Sequence, residues 1–252
     1  MANKIALVTG GSRGLGKDMA LRLDAHGHDV VITYQSQKEA AEEVVKEIES
    51  HGQQAAALHF DANDFLSLEK FVQQFKELLQ SKWNTQQFDF LINNAGIGAT
   101  IPFAQVTEDV FDKFMNIHFK SVYFLTQQLL PSMNDNGRII NISTGTTRFC
   151  VPGYSVYASM KGAVEVFTRY LAKEVGARGL RVNVVAPGPV ETDFNSGGNR
   201  DIPERKKLLA SQSALGRVGL PKDIGGVIAF LCSEDGGWIN GQRLEVSGGI
   251  NL

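Results

Sequence analysis

Short apolar runs alternate with amphipathic stretches along the whole chain. The first run, Ile5-Ala6-Leu7-Val8, carries no polar residue and ends at Thr9-Gly10, as a strand buried on both faces of a parallel sheet does. Similar runs fall at 29–34, 55–60, 88–93, 138–142, 180–185 and 243–246. Helical patterns separate them: one through Met19, Ala20 and Leu23, one from about 36 to 50, and one through Phe71 and Phe75. Others run from about 108 to 133, from about 155 to 177, and onward from Pro221. Ser36-Gln37-Lys38-Glu39 reads as a capping box that opens the second helix. Residues 189–215 are irregular apart from a short helical piece near 204–210.

Alternation of this kind predicts an α/β fold: a doubly wound parallel sheet with right-handed crossovers and helices on both faces. Ligands of such sheets sit beyond the carboxyl ends of the strands. Gly10, Asp61, Asn93, Ser143, Thr144 and Gly188 all stand at such ends. No linker or repeat interrupts the 252 residues, so the chain reads as one domain over 1–252. A hydrophobic content of 43% supplies a core, and a net charge of -2 leaves no basic footprint for nucleic acid. Cys150 and Cys232 fit no metal or redox spacing, and the five histidines form no His-x-x-x-His pair. The expectation is a cytoplasmic protein with reduced thiols and no catalytic metal. No apolar run approaches the roughly 18 residues of a membrane span. The first residues lead into a strand without a signal-peptide pattern.

Two segments carry candidate chemistry. Gly10-Gly11-Ser12-Arg13-Gly14-Leu15-Gly16 lies between the first strand and the first helix. Glycine is required where backbone turns tightly and approaches a ligand, and a helix N-terminus offers free N–H groups to phosphate. The spacing is Gly-x-x-x-Gly-x-Gly, not the commoner Gly-x-Gly-x-x-Gly. Its placement predicts nucleotide binding by Gly10, Ser12, Arg13, Gly14, Leu15 and Gly16. The second segment is Tyr157-Ala158-Ser159-Met160-Lys161, whose ends project from one helix face. A cation about 4 Å from a phenol contributes on the order of 4 kcal/mol at an effective dielectric of 20. That is roughly three pKa units, enough to bring a tyrosine toward the range of a general acid.

Jointly these segments, with Asn93-Asn94-Ala95-Gly96, Asn116 and Pro187-Gly188 in the same order and separations, resemble the short-chain dehydrogenase/reductase family over essentially the whole chain. The resemblance implies a Rossmann-type fold, a nicotinamide cofactor, hydride transfer at a carbonyl carbon, and frequently a homotetramer. It implies a tetrad of Asn116, a serine, Tyr157 and Lys161, with Asn116 holding a water in a proton relay. The serine position falls on Thr144, which keeps a hydroxyl; Ser143 stands one residue earlier as the fallback. By the same resemblance Lys161 bonds the nicotinamide ribose, Asp61 and Ala62 meet the adenine, and Asn93, Ala95 and Gly96 pass along the adenosine ribose. Pro187, Gly188, Val190 and Thr192 meet the nicotinamide. The C-terminal half resembles the 3-oxoacyl-(acyl-carrier-protein) reductase branch through Ala172-Lys173-Glu174-Val175 and Leu244-Glu245-Val246-Ser247-Gly248-Gly249. Arg178 matches a basic docking position of that branch, while Asp135 stands where a second can occur, which counts against an acyl carrier protein as partner.

A site for NAD usually places a carboxylate about 20 residues beyond the glycine-rich turn. Tyr34, Gln35 and Ser36 stand there instead, with Lys38 just beyond and Arg13 inside the turn. Two cations and no acid predict NADP(H). Tyr154, Phe149 and Phe194 are expected to line a substrate pocket, and 190–213 to form a substrate-binding loop. The sequence thus predicts NADPH-dependent reduction of a small carbonyl or acyl substrate. Its alternatives are an NAD-dependent alcohol dehydrogenase and a nucleotide-binding sensor impaired in turnover, the latter motivated by Thr144.

Overall fold

Along β1 (Ile5–Val8) the side chains alternate between two separate cores. Ala6 and Val8 join Met19, Ala20, Leu23, Ile48 and Ile228 on one face of the sheet. Ile5 and Leu7 join Phe75, Leu79, Leu125 and Val175 on the other. A strand without polar residues is therefore explained by burial from both sides. The computed structural model describes residues 3–252.

The chain continues through α1 (Gly14–Ala25), β2 (Asp29–Tyr34), α2 (Lys38–Ser50), β3 (Ala55–His59), α3 (Leu68–Trp83) and β4 (Phe88–Asn93). The second half holds α4 (Glu108–Met115), α5 (Ser121–Leu129), β5 (Met133–Ile142), α6 (Ser155–Val175), β6 (Arg181–Pro187), α7 (Gly198–Asp201), α8 (Pro203–Gln212), α9 (Pro221–Cys232) and β7 (Arg243–Val246). All seven strands are parallel, in the order β3-β2-β1-β4-β5-β6-β7. This is a Rossmann-type sheet whose strand order reverses between β1 and β4, where a crevice opens at the carboxyl ends. Among the described residues no helix is long and apolar enough to cross a membrane.

Three expectations are corrected. The capping box at Ser36 does not form: α2 starts at Lys38, and Gln37 precedes it without a side-chain cap. The helix expected over 108–133 is broken. A π turn occupies Asn116–Lys120 between α4 and α5, and a short 3₁₀ turn at Leu130–Ser132 carries Pro131, which has no N–H with which to continue a helix. In the stretch 189–215, α8 is the helical piece expected near 204–210, but the short α7 before it falls where irregular chain is expected.

The side chain of Asn93 is turned into the sheet. Its Nδ2 donates to Thr126 Oγ1 at 3.0 Å and Asn141 Oδ1 at 2.8 Å, and Asn141 Nδ2 donates onward to Thr168 Oγ1 at 2.9 Å. This buried chain of polar groups is mutually satisfied and ties β4 and β5 to α5 and α6.

Candidate active site

The glycine-rich turn is shaped by backbone that side chains would obstruct. Gly10 and Gly14 have φ of +67° and +57°. A Cβ on Gly16 would lie 2.1 Å from the Gly10 carbonyl oxygen, so α1 packs against the turn only with glycine there. Arg13 precedes α1 in extended conformation with no side-chain cap, and the first turn holds no acid. The leading N–H groups of α1 are thus available to an anion. Across the crevice, Asn94 Nδ2 donates to the carbonyls of Thr9 at 2.9 Å and Gly10 at 3.1 Å. Thr9 Oγ1 accepts from the backbone N–H groups of Asn94 and Ala95. These bonds fix the end of β4 against the turn.

A cleft of about 1010 Å³ runs from this turn across the sheet. Gly10, Ser12, Arg13, Gly14, Leu15, Gly16, Tyr34, Ser36, Asp61, Ala62, Ala95, Gly96, Pro187, Gly188, Val190 and Thr192 line it. Three predicted residues do not. Asn93 is turned into the sheet, and its neighbour Asn94 reaches the cleft instead. Lys38 is turned to Glu42, at 3.6 Å along its own helix. Asn116, in the π turn, stands outside the lining, while Ile117 and His118 are part of it.

At the far end of the cleft, α6 presents Tyr157 and Lys161 beside the loop that follows β5. Lys161 is 3% exposed, and its Nζ donates to the Ile142 carbonyl at 2.7 Å. It lies 6.0 Å from the centre of the Tyr157 ring. The lowered phenol pKa expected from this pair is not found. Burial pushes the Tyr157 phenol well above its ordinary value, and the Thr144 hydroxyl offsets only part of that. Burial likewise pushes Lys161 down, to about 8. Burial disfavours the charged form of each, the phenolate and the ammonium alike.

Of the two candidate hydroxyls, Thr144 faces Tyr157 and Ser143 is committed elsewhere. Ser143 Oγ donates to Glu165 Oε1 at 2.6 Å. The same oxygen accepts from Thr147 Oγ1 at 2.7 Å and Arg243 Nε at 2.9 Å. This polar anchor pins the loop from α6 and β7. Thr144 is extended at the start of the loop, with its Oγ1 3.2 Å from Thr146 Oγ1.

His118 is a site residue that no sequence motif marks. It is fully buried, edge-on to Tyr157 with ring centres 5.1 Å apart. Its Nε2 accepts from the Ile97 N–H at 3.4 Å, and its Nδ1 has no partner. Burial, then the charge of Lys161, hold it well below the ordinary histidine value, so the ring is neutral. The π turn supplies the fit by widening the helix at this point.

Beyond Tyr157 the cleft is walled by Phe149, Tyr154 and Phe194, as expected, and by Ile97, Leu209 and Arg205. Phe194 packs over Gly98, where a Cβ would come within 2.5 Å of its ring, and lies 6.0 Å from the Tyr157 ring. The Tyr154 hydroxyl accepts from Asn195 Nδ2 at 2.9 Å and Arg205 Nη2 at 3.2 Å. Asn195 and Arg205 fall inside the expected 190–213 loop, but only the packing of α8 brings Arg205 to the cleft.

The profile of the family described as Enoyl-(Acyl carrier protein) reductase matches residues 10–251. A hydroxynaphthalene reductase-like protein of Metarhizium brunneum is 35% identical over 260 residues, covering 99% of this chain and 95% of its relative. The short chain dehydrogenase/reductase AacuN of Aspergillus aculeatus is 36% identical, with 99% and 96% covered. Among solved structures, the promiscuous reductase LugOII, which catalyses keto-reduction at C1 during lugdunomycin biosynthesis, superposes with a TM-score of 0.94 at 35% identity, covering 99% of this chain and 98% of that one. The angucycline C-6 ketoreductase LanV with bound NADP gives 0.94 at 36% identity, covering 99% and 96%. Likeness of this extent, in sequence and in backbone alike, spans the cradle at one end of the cleft and the tyrosine at the other. The chain belongs to the short-chain dehydrogenase/reductase family.

Proposed function

We propose that this protein is an NADPH-dependent ketoreductase. One observation carries the reading: Tyr157, Thr144 and Lys161 meet at one end of a continuous cleft whose other end is the glycine cradle. The cradle fits a dinucleotide, because Gly10 and Gly14 hold left-handed backbone and the first turn of α1 has neither a side-chain cap nor an acid. Arg13 and Ser36 stand at the adenosine end, with no carboxylate at the end of β2, which suits a 2′-phosphate. Lys38 is turned away to Glu42, and Arg13, exposed and only 3.7 Å from Asp193, is the cation left to meet the phosphate. The NADP bound to LanV supports the same choice.

When bound, the nicotinamide supplies hydride to the substrate carbonyl. Burial keeps Tyr157 protonated, which is the form a proton donor requires. As the alkoxide develops, the phenol gives it the proton, and the Thr144 hydroxyl donates a hydrogen bond to the same oxygen. Lys161 then stabilises the phenolate left behind, so its charge acts where negative charge appears. The relay position expected of Asn116 passes to His118. Its Nδ1–H, beside Lys161, is unpartnered but closed to water, so it would reach a water that returns a proton to the phenolate only when the ring edge is uncovered in the loaded enzyme.

A carrier-borne substrate is disfavoured. Arg178 is tied to Asp135 at 2.8 Å and to the Leu130 carbonyl at 2.9 Å, which removes the one basic docking group from service. The homotetramer suits the exposed Tyr123, Val166 and Tyr170 on α5 and α6. Sedimentation is expected to show four chains; a stable monomer at micromolar concentration would remove this reading.

Replacing Tyr157 by Phe is expected to cost about 10³-fold in turnover of a ketone panel, while NADPH still binds, and binds more tightly than NADH, by fluorescence titration. Tighter NADH binding would favour the alcohol dehydrogenase, and cofactor binding with no turnover by the native chain would favour the sensor. The rate of reduction should be level on the acid side of about pH 8 and fall above it, because Lys161 is cationic below its pKa and neutral above. A rate that stays level well beyond that point would remove the role given to its charge. His118→Phe keeps the ring and removes both nitrogens. It is expected to slow turnover by about 10- to 100-fold and to raise the solvent isotope effect as reprotonation becomes limiting. His118→Asn restores a donor and should recover most of the rate. Native isotope effects in His118→Phe would show that the ring only fills space.

A further inference from the structure

Arg205 stands out among the arginines of the cleft because, among the described residues, no carboxylate pairs with it. Arg200 is paired with both Asp193 and Asp201, and Arg13 lies 3.7 Å from Asp193. Lys113 is exposed to water, and Lys161 is held by the Ile142 carbonyl. The two carboxylates that line the cleft are Asp61, at the adenosine end, and Asp193, already engaged. Arg205 is half-buried, and among the described residues its guanidinium has only neutral partners: Nε donates to Asn199 Oδ1 at 2.9 Å and Nη2 to the Tyr154 hydroxyl at 3.2 Å. Those two bonds aim a planar fork without using its full donor set, and such a fork matches an anionic oxygen.

The walls between Arg205 and the reacting end are aromatic. Tyr154 connects the two, with its hydroxyl on Arg205 and its ring 6.2 Å from that of Tyr157. Phe194 covers Tyr157 on another side, and Phe149 packs against Gly145, where a Cβ would approach within 2.9 Å. Both phenylalanines thus pack against glycine backbone and, with Tyr154, give this part of the cleft aromatic walls.

Resting on the ketoreductase reading, we propose that the substrate is a flat aromatic ketone bearing an anionic oxygen remote from its carbonyl, a carboxylate or an acidic phenol, and that Arg205 recognises it. The carbonyl sits at Tyr157 and Thr144, the rings lie along Phe194 and Tyr154, and the anion meets the free edge of the guanidinium.

The test compares α-tetralone, a ring-carboxylated α-tetralone, the methyl ester of that acid, and a tetralone with an acidic phenol, each with NADPH. The ester keeps the shape and removes the charge. The native enzyme is expected to favour the acid over its ester in kcat/KM by roughly 10-fold or more, the scale of a charge-assisted hydrogen bond. In Arg205→Met that ratio should fall to about one, and Arg205→Lys should keep part of it. If the phenol is the natural feature, preference for the phenolic tetralone will rise as pH passes the phenol's own pKa, and Arg205→Met will abolish that rise. Turnover of neutral tetralone with no preference for either anion, or an acid-to-ester ratio unchanged in Arg205→Met, overturns this assignment and leaves the ketoreductase standing. No NADPH oxidation with any of the four ketones overturns both.

Discussion

Two ionisable groups buried side by side without a carboxylate set the terms for this site. Lys161 is nearly inaccessible, and its hydrogen-bond partner is a neutral carbonyl at the end of β5. Tyr157 sits one turn away and is also buried. A bare Coulomb estimate for the pair predicts an acidified phenol, but it omits the cost of taking both charged forms out of water. Once that cost enters, the phenol is pushed up and the ammonium down. The resting site therefore holds a protonated tyrosine and a cation of moderate basicity. The attraction between phenolate and ammonium is stored until the proton leaves.

The rest of the architecture serves to keep that pair in place above the sheet. Strand order reverses between β1 and β4, which opens the crevice, and Asn94 with Thr9 closes its floor. The buried chain Asn93, Asn141, Thr168 ties α6, the helix that carries Tyr157 and Lys161, to β5. Glu165, three-fold hydrogen-bonded, fixes the loop that carries Thr144. Catalytic geometry of this kind depends on supporting contacts as much as on the reacting groups.

Where side chains point away from the positions expected of them, one cause is shared. Position along the chain names an element, while function depends on where a side chain points. Asn93 and Asn94 are adjacent, but in extended backbone they face opposite ways, and the first is claimed by the sheet. Asn116 and His118 are two residues apart, which on a helix places them on nearly opposite faces. The π turn then sets His118 against Tyr157. Lys38 lies near the adenosine end in sequence, but the first turn of α2 directs it to Glu42.

The sequence by itself determined the α/β alternation, the glycine cradle and the tyrosine–lysine pair, because these rest on period, steric exclusion of Cβ and fixed helical spacing, all local properties. Only the tertiary structure decided which of two hydroxyls faces the phenol, which imidazole packs against it and which arginine lines the cleft beside Tyr154. Those outcomes follow from desolvation and from side chains brought together across long stretches of chain, and neither is encoded at any one position.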